Sequence, residues 1–177
     1  MEKLDTLVKN DLWRKASGIR KDTRMKGTEL ALRFFAFRYD RSNYEKPLAS
    51  FLDNFSSKNR NLDEAIVDKW SSEFNRVVEL IDHALGKYAF RLFDPDLGGL
   101  TGFNSALYDA QMIAFAETDN GAILSKNFNT DQFRRAVGDL LLEEKFYNSI
   151  RQATSDEQSV KTRIETFKKF LDGYNEL

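Results

Sequence analysis

Arg24-Met25-Lys26-Gly27-Thr28-Glu29-Leu30-Ala31-Leu32-Arg33-Phe34-Phe35-Ala36-Phe37-Arg38-Tyr39 reads as a helix that is apolar on two sides. At 3.6 residues per turn, Leu30, Phe34 and Phe37 form one apolar arc. Leu32, Phe35 and Tyr39 form a second, nearly opposite. Glu29, Arg33, Ala36 and Asp40 make the narrow polar stripe between them. A helix apolar on both sides must be covered on both sides, so this one is expected at the centre of a bundle.

The surrounding chain carries the same period. A first helix is expected over Lys3 to Lys15, interrupted near Ser17-Gly18, and the central helix begins at about Asp22, an N-cap residue type. Pro47 suits the first turn of a third helix through Phe55. A long fourth helix is capped by Asn61 and stopped by Gly86, with Asp63 and Glu64 at its positive dipole end. Leu62, Ile66, Trp70, Phe74, Val77, Ile81 and Leu85 share one arc of it. Asp94-Pro95-Asp96-Leu97-Gly98-Gly99 is a strong turn cluster. Helices follow over Asn104 to Glu117, Thr130 to Glu144 and Phe146 to Gln152. The last opens at Thr154 or Ser155, three or four residues before Gln158, and ends near Tyr174. The helix at Asn104 is apolar nearly all round, with Asp109 a lone acid among small residues. The expected fold is therefore all-α, one globular bundle of about six to eight helices over residues 1–177, with buried central helices.

Composition narrows the function classes. The 177 residues hold 27 Lys plus Arg against 28 Asp plus Glu, so no basic excess marks a chain that grips nucleic acid by bulk charge. Absence of Cys excludes disulfides and thiolate metal sites, and suits a reducing compartment. With neither a signal-like N-terminus nor an apolar run of membrane-spanning length, a soluble, cytoplasmic protein without a membrane partner is expected. His83 is the single histidine, which removes most triads and multi-histidine metal sites. It falls on a polar helix face beside Glu79 and Arg76. The Asp94–Gly98 loop lacks the third acid and closing glutamate of a calcium loop. Gly98-Gly99-Leu100-Thr101-Gly102 has neither the preceding strand nor the lysine of a phosphate loop. No cofactor, metal or catalytic residue is therefore expected.

Two arginines stand out. Arg33 occupies the polar stripe of a sandwiched helix. Arg163 lies inside the apolar arc of Val160, Ile164, Phe167, Leu171 and Tyr174. A guanidinium drawn towards a core needs a carboxylate or carbonyl fork. Glu29, Asp40 and Asp109 are the candidate partners in a structural ion pair. The alternative is that Arg33 and Arg163 face a partner surface or a phosphate.

Arg24-Met25, Glu29-Leu30, Leu32-Arg33-Phe34-Phe35-Ala36, Tyr44 and Phe51-Leu52-Asp53 together resemble the helical second half of the GmrSD-type, ParB/sulfiredoxin-like restriction domain family. Ala89-Phe90-Arg91, Phe103-Asn104-Ser105-Ala106-Leu107-Tyr108-Asp109-Ala110 and the Phe146 to Ile164 region extend the resemblance over about residues 20–170. The family's chemistry is carried by an Asp-Gly-Gln-Gln-Arg motif in an upstream α/β subdomain. No such motif occurs here, because Gln111, Gln132, Gln152 and Gln158 are never adjacent. The resemblance thus implies a non-catalytic helical subdomain of a modified-DNA, anti-phage restriction endonuclease/NTPase. Its partner would be the ParB-like nuclease/NTPase subdomain, in cis or in trans, and DNA would be met only through it. Arg33 and Arg163 would then stand near that junction, beside an exposed apolar strip that also favours self-association. Two alternatives stay open: a stand-alone regulatory protein that binds a full-length relative in trans, and an enzyme built on acids such as Asp109.

Overall fold

The computed structural model describes residues 2–19, 25–94 and 96–175. Its elements, in chain order, are α1 (Glu2–Leu7), α2 (Asp11–Ser17), α3 (Lys26–Asp40), α4 (Leu48–Lys58), α5 (Glu64–Leu85), β1 (Arg91–Asp94), β2 (Gly98–Phe103), α6 (Ser105–Glu117), α7 (Gly121–Leu124), α8 (Thr130–Leu142), α9 (Glu144–Arg151) and α10 (Glu157–Asn175). Seven of these helices run eight residues or more. One contiguous apolar cluster joins residues from nearly every element, so the bundle has a single core.

The two helices expected at the centre are there. In α3, Leu30, Phe34 and Phe37 are buried on one arc and Phe35 on the other, because α1, α4, α5 and α6 all pack around it. From Ala106 to Phe115 every residue of α6 is buried, with α10 as its most extensive neighbour. Aromatic rings knit these layers. Trp13 of α2 meets Phe74, Phe90 and Tyr108 at centroid distances of 5.3, 6.3 and 5.7 Å. Tilted and edge-on contacts of this kind stabilise beyond the area they bury.

Several local expectations are corrected. The first helix is two, because the chain turns at Val8–Lys9 and Asn10 starts again as an N-cap, its side chain accepting from the Leu12 N–H at 2.8 Å. Gly18 ends α2 with φ 74°, and a Cβ there would stand 2.6 Å from an Arg91 guanidinium nitrogen. The expected cap at Asp22 lies outside the described residues. Asp63, not Asn61, caps α5 by accepting from the Ala65 N–H at 2.8 Å. The start of α10 falls at Glu157, so Thr154 and Ser155 precede it instead of capping it.

A larger addition concerns the segment after Gly86. Arg91–Asp94 and Gly98–Phe103 form a two-stranded antiparallel hairpin in a fold expected to be all-α. The turn cluster is its tip. Asp94 accepts from the Asp96 and Leu97 N–H groups, both at 2.8 Å, and Gly98 and Gly99 take φ of 71° and 89°. The register slips twice, and Thr101 Oγ1 replaces a backbone acceptor for the Leu92 N–H at 3.0 Å. Among the described residues, no helix is long and apolar enough to cross a membrane.

Candidate functional site: a buried ion triad and an open apolar groove

The three charged residues that the sequence places on inward positions meet at one point. Asp109 lies on α6, one residue after Tyr108, whose hydroxyl donates to the Leu30 carbonyl at 2.8 Å and fixes α6 against α3. Arg33 on α3 grips Asp109 with two bonds, Nε to Oδ1 at 3.1 Å and Nη2 to Oδ2 at 2.6 Å. From α10, Arg163 donates Nη2 to the same Oδ2 at 2.7 Å and Nη1 to the Thr154 carbonyl at 2.7 Å. Asp109 and Arg163 are 2% and 1% exposed and Arg33 is 9% exposed, so water solvates little of the cluster.

The electrostatics follow from burial. Loss of water pulls the Arg33 guanidinium down, but the charge and hydrogen bonds of Asp109, with Glu29 behind, outweigh it and its pKa ends above the ordinary value. Glu29 is the weaker partner, 3.8 Å from Arg33 with its carboxylate largely in solvent. The third candidate partner, Asp40, is engaged elsewhere, with Lys58 and Asn43. Arg33 and Arg163 therefore form a structural cross-link of α3, α6 and α10, and Arg163 presents nothing to a partner surface. Its Nε is buried without a hydrogen-bond acceptor.

A second charged cluster escaped the sequence reading. Glu117, at the end of α6, takes two bonds from Arg41, at 2.9 and 3.1 Å, and a third from Lys168 at 3.4 Å. Burial pushes its carboxyl up, yet Arg41 and Lys168 together hold it below the usual carboxylate range. Nearby, Arg38 pairs with Glu73 at 2.9 Å, and the Tyr39 hydroxyl also donates to Glu73. Arg38, Tyr39, Arg41 and Glu117 border a cleft of about 500 Å³. Asp94 is likewise held low, by the Leu97 and Asp96 N–H groups. Acids pinned in the ionised form by fixed donors are the reverse of a general acid, whose pKa must be raised towards neutrality. His83 is exposed on α5, its ring 5.5 Å from Phe128. Among the described residues, no group of three or more metal-ligating side chains converges.

A cleft of about 1080 Å³ lies between the hairpin and the start of α8. Its cations are mostly spoken for. Arg134 donates to the Ala84 carbonyl at 3.2 Å and Arg135 pairs with Asp96 at 2.8 Å.

The apolar surface is concentrated elsewhere. A groove of about 790 Å³ opens between α1, α4 and the first turns of α5, with the outer arc of α3 as its floor. Leu7, Leu32, Phe35, Phe55, Val67 and Trp70 line it. Trp70 is half-buried and stacks on Tyr39, Phe35 and Phe55 at 4.2, 5.5 and 5.9 Å. The apolar arc from Leu62 to Leu85 is not buried along its whole length. Burial begins only at Phe74, while Ile66 is 42% exposed and Leu62 and Trp70 are only half-covered. The apolar stripe of α5 outruns the core.

Neither Arg33 nor Arg163 is among the residues that line this groove. Comparison of the chain with protein-family models, with curated proteins and with solved structures finds no match.

Proposed function

We propose that this chain is a non-catalytic, all-helical subdomain of a modified-DNA restriction system, supporting a ParB-like nuclease/NTPase subdomain supplied in cis or in trans. One observation carries the reading. The inward charged residues Arg33, Asp109 and Arg163 are consumed in internal pairs, while an apolar, aromatic-floored groove stays open among the described residues. Closed polar clusters and an open apolar groove suit a protein that is held against another protein. The resemblance along residues 20–170 supplies the identity of that partner. DNA is then met through the partner, consistent with the near-even charge balance.

The experiment mixes the chain with a relative that carries the Asp-Gly-Gln-Gln-Arg motif and follows complex formation by sedimentation, with nucleotide hydrolysis and DNA cleavage as activity readouts. A stable complex, with neither activity in the chain alone, is the expected result. Hydrolysis or cleavage by the isolated chain contradicts the reading. A complex that lowers the relative's activity instead of supporting it favours a stand-alone regulator acting in trans.

A further inference from the structure

We infer that the groove between α4 and α5 receives an amphipathic helix of the partner, with an acidic residue of that helix lying at the Arg60 end. The inference rests on the accessory reading above and adds the form and charge of what binds.

The shape of the occupant follows from the walls. The groove is bordered along α5 from Glu64 to Ser71, about two helical turns, along the C-terminal turns of α4, and by Leu4 and Leu7 of α1. Two turns are what an amphipathic helix needs to set anchors at i, i+3 or i+4, and i+7 into a groove between two others. The stripe on α5 points to the same partner. Its buried half, from Phe74 onward, is covered by helices of this chain, and its first half has the same spacing but is only partly covered among the described residues, with Val67 and Trp70 half-buried. A helix laid over Trp70 and Val67 continues the packing that the chain itself makes further along.

The charge of the occupant follows from Arg60. It stands in the α4–α5 connection at one end of the groove and makes no ion pair among the described residues. The other arginines of the nearby surface are engaged: Arg38 with Glu73, and Arg41 with Glu117. An unpaired guanidinium at the rim of an apolar groove selects a carboxylate, with an effect on specificity greater than on affinity.

The test uses the full chain and two synthetic amphipathic peptides with the same leucine spacing, one bearing Glu at its end and the other Lys. Trp70 is the reporter, because the other tryptophan, Trp13, is 1% exposed and senses no surface event. The acidic peptide is expected to shift Trp70 emission to the blue and to bind about fivefold more tightly than the basic one. Arg60→Glu is expected to reverse that order without changing the fold, since Arg60 is exposed. Val67→Glu, on the groove wall, is expected to abolish the response to both peptides with the circular dichroism unchanged. Failure of either peptide to move Trp70 emission, or the same order of binding in Arg60→Glu, overturns the inference. Two failures stay distinguishable. If the relative binds wild type, Arg60→Glu and Val67→Glu equally, the groove assignment falls and the accessory reading stands. If the acidic peptide binds but no relative does, the accessory reading falls alone.

Discussion

The two sides of α3 have been finished differently. On one, Arg33 is clamped by Asp109 and tied through it to Arg163, with nearly every donor matched. On the other, Leu32 and Phe35 look into a groove that no element fills among the described residues. The polar side would attract attention in a search for chemistry, yet it is closed. The apolar side has no reactive group and is open. A satisfied buried charge cluster speaks for architecture, whereas an unfilled apolar groove speaks for a partner.

The sharpest way to break this contrast is to remove the shared carboxylate. Asp109→Leu strands two buried guanidinium groups, and a loss of about 3–5 kcal/mol is expected in urea unfolding. Replacing the whole cluster, as Arg33→Met, Asp109→Leu and Arg163→Met together, is expected to cost clearly less, because a buried ion cluster exchanged for packed apolar groups is often neutral. A triple variant no more stable than Asp109→Leu alone would mean the cluster does more than cross-link.

Along α5 the same contrast can be tested within one helix. Phe74→Ala removes a fully buried ring and is expected to cost about 3–5 kcal/mol. Ile66→Ala, on the same arc but 42% exposed, is expected to change stability by less than about 0.5 kcal/mol. Comparable losses at both positions would show that the first turns of α5 are covered in the free chain.

A smaller effect belongs to Glu117. Its pKa is depressed in the folded chain, so the folded state binds the proton less readily than the unfolded one. The stability it contributes is present above the ordinary carboxylate value of 4.5 and is lost as pH falls through its lower folded value. Glu117→Gln is expected to flatten the acid limb of a stability-against-pH profile below about 4.5, and an unchanged limb would place the acid sensitivity elsewhere.

Much of this architecture was legible in the sequence, because helical period is a strong signal where apolar residues recur without proline. The partners of Arg33 and Arg163 were also narrowed correctly to a set containing Asp109, since a lone acid on an all-apolar helix needs a cation. Four features were not legible. The hairpin has no clean alternation: Leu92 and Phe93 are both buried, the second strand is glycine-rich, and two register slips blur the pattern. Asn61 and Asp63 are both good cap residues, and only the backbone decides between them. The groove escaped because a stripe such as Leu62-Ile66-Trp70-Phe74 looks the same whether the chain covers all of it or half. Arg60, equally, looks like any surface arginine until its neighbours are seen to be paired.

The most direct measurement is amide hydrogen exchange across residues 64–73 of α5, with and without a relative carrying the Asp-Gly-Gln-Gln-Arg motif. The account predicts that exchange in these turns slows on binding, together with the C-terminal turns of α4, while α6 around Asp109 is unchanged. Slowing confined to other surfaces, with residues 64–73 untouched, would contradict it.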